Sequence, residues 1–101
     1  MEIGKELIWT EPSKDDLNEI YLFYANKSIK AANKLIDKLV AKPNILLQKG
    51  FENAGQVDDI NPKYRRLIEG DYKILYTTTE TTIFINRVFD CRKNPDKLQE
   101  Y

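Results

Sequence analysis

All four arginines of this chain, Arg65, Arg66, Arg87 and Arg92, fall in one stretch, Tyr64–Arg92, and Lys73 lies between the two pairs. An arginine offers a planar fork that grips phosphate or carboxylate with two parallel bonds. Cations gathered on a sheet can hold a phosphate and stabilise the charge that builds up during phosphoryl transfer. A lysine whose pKa is lowered by cationic neighbours, as Lys73 would be beside Arg65 or Arg92, can move a proton. The same residue types also suit a solvated strand of no special function. Composition leaves that choice open.

Other chemistries are excluded more firmly. The chain has no histidine, which removes the usual base near neutral pH and every Ser-His or Cys-His arrangement. Cys91 is the single cysteine, so no internal disulfide can form and no zinc site is expected. Glycine-rich nucleotide loops are absent, and neither metal nor cofactor is expected. Two acid pairs remain. Asp15-Asp16 reads as helix-start acids and Asp58-Asp59 as solvated loop acids.

Net charge is zero, but its distribution is uneven. Residues 1–60 hold eight lysines against ten acids, whereas residues 61–97 hold eight basic residues against five acids. That surplus is too small for a dedicated DNA-binding stripe. At 101 residues the chain forms one domain, 1–101, with enough length for one core. No apolar run approaches a membrane span, and the first residues carry acids where a signal peptide would be apolar. A cytoplasmic protein is expected.

The elements that must position the cations follow in order. Ile3, Leu7 and Trp9 alternate like a short half-buried strand. Thr10 then caps a helix from Pro12 to Ala25, with Leu17, Ile20, Tyr21 and Tyr24 along one face. Ser28 opens a second helix whose apolar side is Ile29, Ala32, Ile36, Leu39 and Val40. Pro43 ends it, and Asn44 to Lys49 forms a helical turn before Gly50. The short link between the helices predicts an antiparallel hairpin. Phe51 to Pro62 reads as a polar surface loop. Three strands follow. Tyr64–Ile68 turns at Gly70-Asp71 into Tyr72–Thr77, which turns near Thr79-Glu80 into Ile83–Phe89. The last is apolar on both faces, as an interior strand would be. Asn94-Pro95 stops pairing, and a short polar tail completes the chain. The fold class is α+β: a short strand, an antiparallel helical hairpin and a three-stranded antiparallel meander.

This order of elements resembles the RelE/ParE superfamily of toxins from bacterial type II toxin–antitoxin modules, which include plasmid stabilization systems. The resemblance rests on Tyr64-Arg65-Arg66-Leu67, on Gly70-Asp71-Tyr72-Lys73-Ile74-Leu75-Tyr76 and on the run Ile83 to Arg92. Ile8-Trp9-Thr10 before an acid-rich helix start adds to it. Two activities are implied. ParE-like members bind and inhibit DNA gyrase, which would make Arg65, Arg66, Arg87 and Arg92 target-binding residues and leave no catalytic one. RelE-like members cut messenger RNA on the ribosome, which would give catalytic roles to Lys73 and Arg92. Lys73 stands where that branch carries an arginine, and the terminal His-Tyr pair of one ribonuclease branch is missing, so the ParE-like reading fits better. A cognate antitoxin is the implied partner, and it requires exposed apolar surface on the helical hairpin or a sheet edge.

Overall fold

The computed structural model describes residues 5–48 and 50–92. The expected strand positions before Lys5, Lys49 and the expected tail lie outside these residues.

Strand β1 (Glu6–Trp9) is followed by helix α1 (Glu11–Ala25) and helix α2 (Ile29–Ala41). A 3₁₀ helix over Lys42–Leu47 leads to strands β2 (Gln56–Val57), β3 (Arg65–Glu69), β4 (Tyr72–Thr78) and β5 (Thr82–Asp90). Local chemistry sets the boundaries. Thr10 caps α1 by accepting from the Ser13 N–H, and Ser28 caps α2 by accepting from the Ala31 N–H. Pro43 falls in the 3₁₀ helix, where α2 can no longer continue. Gly70 turns β3 into β4 at φ 59°, a left-handed conformation that glycine adopts without steric penalty.

The expected meander is present and is extended on both sides. The five strands run in the order β1-β5-β4-β3-β2. β1 pairs parallel to β5, placing Leu7 beside Ile83 and Trp9 beside Ile85. β2 is a two-residue strand inside the stretch expected to be only loop, paired antiparallel to Arg65 and Arg66. It is too short to show a period in the sequence.

Leu39, Leu46, Leu67, Tyr72, Ile74, Tyr76, Ile83, Ile85 and Val88 form the core, with Leu17, Ile20, Tyr24, Leu35 and Ile36 packed against it from the helices. The helical hairpin therefore covers the face of β4 that carries Tyr72, Ile74 and Tyr76. Lys73 and Leu75 take the opposite face by strand alternation, and both are buried there. The buried side of α2 runs through Ala32, Leu35, Ile36 and Leu39, while Ile29 and Val40 are exposed. The helix is thus turned relative to the stripe expected from its sequence, because the sheet beneath selects the row that includes Leu35.

Candidate functional site

Four separate networks hold the sheet cations, each built on carboxylate or carbonyl oxygen. The first lies on the face turned away from the helices. Lys73 is 4 % exposed, and its ammonium donates to Asp58 Oδ1 at 2.9 Å. Arg66 reaches the same oxygen at 3.4 Å and Asp59 at 2.9 Å. Asp58 is fully buried and also accepts from the Asn61 N–H. Burial pushes its carboxyl pKa up. The bonds from Lys73 and Asn61, with the Lys73 charge and an Arg66 bond, outweigh burial and hold it below the usual carboxylate value.

Arg65 belongs elsewhere. It pairs with Tyr76 across the ladder, on the face opposite Lys73, and donates to the Gly55 carbonyl at 2.7 Å. The Gly55 N–H donates to Tyr76 Oη at 2.8 Å. A Cβ on Gly55 would sit 2.5 Å from the Arg66 carbonyl oxygen, so only glycine lets the chain pass so close to β3.

Arg87 forms the third network, with Asp16 on α1, through bonds of 2.8 and 3.0 Å. β1 ends opposite Ile85, which leaves β5 without a strand neighbour on that side from Asn86 onward. α1 finishes the edge: Thr10 bonds the Ile85 and Asn86 carbonyls, and Asp16 accepts the Val88 N–H at 2.9 Å.

Arg92 holds the fourth, just past β5. Its guanidinium binds both Asp90 oxygens, at 2.9 and 2.8 Å, and lies 3.6 Å from Asp71. It also donates to Tyr24 Oη, which accepts a second bond from the Tyr72 hydroxyl. The Tyr72 and Arg92 bonds lower the Tyr24 pKa, while burial and the bond it donates raise that of Tyr72.

Two expectations for the acids are corrected here. Asp16 and Asp58 are buried structural anions, neither solvated nor merely capping; their cationic partners arrive from distant β5, β3 and β4. Lys73 correspondingly faces a carboxylate, not the guanidinium of Arg65.

Beside Arg92 opens a groove of about 690 Å³ between α1 and the end of β5. Ile20, Leu22, Phe23, Val88 and Phe89 supply apolar walls, and the polar walls mix Arg87 and Arg92 with Asp16, Glu19, Asp90, Tyr24 and Tyr72. Leu22 and Phe23 are 58 and 63 % exposed. This is the apolar surface expected on the hairpin. The sequence signal for it was the unbroken run Ile20 to Tyr24, wider than one helix face can bury.

The family model described as "ParE toxin of type II toxin-antitoxin system, parDE" matches residues 7–95. The chain belongs to this ParE toxin family. Among solved structures, the toxin is similar to one from the chromosomal ParDE toxin–antitoxin system of P. aeruginosa, at TM-score 0.76 and 24 % identity over 86 % of this chain and 96 % of that one. It is also similar to a chain of the RelBE2 toxin–antitoxin complex of Mycobacterium tuberculosis, at TM-score 0.56 and 15 % identity over 87 % of this chain and 99 % of that one. At these identities the structural likenesses establish the α+β fold, and the family model establishes the toxin class. No curated protein matches. Among the described residues there is no cluster of ligands suited to a metal ion and no helix long and apolar enough to cross a membrane.

Proposed function

We propose that this toxin acts by binding DNA gyrase and blocking its action, with no catalytic residue of its own, and that an antitoxin segment occupying the groove between α1 and β5 holds it inactive. One observation carries the first part. Lys73, the lysine at the position a ribonuclease of this superfamily would use, is buried and donates to the buried Asp58. Arg92, the second such cation, has its fork closed on Asp90. Cations committed to internal carboxylates serve the fold and leave little free charge for a scissile phosphate. The cation positions of the sheet then act as a rigid frame for a binding surface.

The groove supports the second part. A partner segment with apolar side chains would cover Leu22 and Phe23, and a carboxylate on it would meet the exposed side of Arg92. The competing reading, ribosome-dependent cleavage of messenger RNA, has its own support in Tyr24. That phenol receives bonds from both Tyr72 and Arg92, which favour its ionised form. Two assays separate the readings. Purified toxin is expected to stop gyrase supercoiling and to leave messenger RNA on translating ribosomes intact. Cleavage that falls by orders of magnitude in Arg92→Ala, with supercoiling untouched, would reverse the assignment.

A further inference from the structure

The margins of the sheet are not covered equally. α1 closes β5 beyond Ile85, and the segment 51–63 straps the β3 margin, where the Asp58 N–H bonds the Tyr64 carbonyl. β1 is different. It ends the strand order, pairs with β5 on one side, and has no strand neighbour on the other. Glu6 donates to the Thr81 carbonyl and Thr10 to the Ile85 carbonyl. Along a strand alternate residues face the same neighbour, so Ile8 also turns its backbone to β5, while Leu7 and Trp9 turn theirs outward. Neither Leu7 nor Trp9 has a backbone hydrogen-bond partner among the described residues. Natural edges are blunted by proline, lysine or a bulge. β1, with the sequence Glu-Leu-Ile-Trp and an unbroken register, has none of these.

The open edge is complementary to itself. We infer that β1 docks a second copy of this chain, the two β1 strands pairing antiparallel about a two-fold axis at Ile8. Leu7 then faces the partner's Trp9, and Trp9 the partner's Leu7, as hydrogen-bonded pairs that each exchange both N–H···O bonds. Ile8 is 37 % exposed and meets the partner's Ile8 at the close spacing of a non-hydrogen-bonded pair. It already lies beside the half-buried Phe84, so one apolar strip runs on across both subunits. Charge agrees with this register. Lys5, just before β1, comes opposite the partner's Glu11, just after it. Lys5 reaches the neutral Thr79 carbonyl, and Glu11 is 82 % exposed beside Lys14, so both have room to form an ion pair at the surface. The register centred on Leu7 would instead set Glu6 against the partner's Ile8. A two-fold contact also closes, which a head-to-tail pairing of edges would not.

A contact built on four-residue strands is expected to fall at the small end of specific interfaces, below about 1,200 Å², and therefore to be reversible. Such a dimer is independent of the gyrase reading and of the groove, since Leu22, Phe23 and Arg92 take no part in it.

The test is sedimentation equilibrium of the full chain over a range of concentrations, with hydrogen exchange on the same samples. Monomer and dimer in exchange are expected. Exchange should slow at the Leu7 and Trp9 amides as concentration rises, while the Ile8 amide, bonded to β5, stays equally protected. Ile8→Lys sets two ammonium groups face to face at the axis and should weaken the dimer at least tenfold. Ile68→Lys, on β3, should leave it unchanged. Lys5→Glu and Glu11→Lys should each weaken it by about three- to tenfold at low salt, and the double swap should restore it. The swap decides the matter if Ile8→Lys does not fold. A chain that stays monomeric up to about 0.5 mM overturns the inference, as does a dimer indifferent to Ile8→Lys and to the single charge changes. Leu7 and Trp9 amides that slow only when the antitoxin binds give the edge to the antitoxin and overturn it equally.

Discussion

The two long margins of the sheet are finished in opposite ways. Beyond β1, the exposed edge of β5 is closed by a helix whose Asp16 takes the Val88 N–H and the Arg87 fork, and beside that closure a wide groove stays open with Leu22 and Phe23 in solvent. At the β3 margin, a strap carries Asp58 and Asp59 over the outer face and shuts it on Lys73 and Arg66. Each margin uses one buried aspartate. At β5 the acid lines an open groove; at β3 it is buried together with Lys73. A basic stretch of sequence thus yields two unlike surfaces, because what matters for each cation is the anion that reaches it.

The contrast predicts unequal responses to mutation. Lys73→Met leaves Asp58 buried without its main partner and should destabilise the fold by about 3–5 kcal/mol in chemical denaturation, with Lys73→Met/Asp58→Asn costing clearly less than the sum of the two single changes. Equal and additive losses would show that the pair is not coupled. On the groove side, Asp16→Asn removes an ion pair that is only partly buried and weakens the acceptor for the Val88 N–H, so a smaller loss of about 1.5–3 kcal/mol is expected. Hydrogen exchange should rise at the Val88 amide and leave the β3–β4 amides unchanged.

Asp58 makes stability depend on acid. The folded-state pKa of Asp58 lies below its unfolded value. Its stabilisation is therefore complete above the unfolded carboxylate range, near pH 4, and is lost as pH falls through the lower folded value. Stability measured from pH 6 downward should decline more steeply for the wild type than for Asp58→Asn; parallel curves would remove Asp58 as the cause. The smallest effect on stability is expected for Phe23→Ser, within about 0.5 kcal/mol, because the ring is already 63 % exposed. The same change should weaken antitoxin binding at least tenfold. Unchanged affinity would place the antitoxin elsewhere.

Much of this frame was legible in the residues. Thr10, Ser28, Pro43 and Gly70 announce the ends of elements through local chemistry, and the alternation from Tyr64 to Phe89 gives the meander. What escaped the sequence depends on distance along the chain. Asp16 and Arg87 are 71 residues apart and meet only because α1 runs along the edge that β1 leaves open. Asp58 looks like any loop acid until β2, two residues long, draws it across the sheet to Lys73. The phase of α2 was set by the sheet and not by its own periodicity, so Ile29 and Val40 turned outward. Gly55 was the one local clue to the strap: a glycine inside a polar run marks a close approach of two backbones.

The central claim, that the cations are committed to the fold and the toxin works as a binding module, is tested most directly by mixing purified toxin with gyrase and with translating ribosomes at the same concentrations. Co-migration of the toxin with gyrase in sedimentation, with messenger RNA left intact, is the predicted result. Toxin that sediments free of gyrase while the messenger is cut in the decoding site would contradict the account.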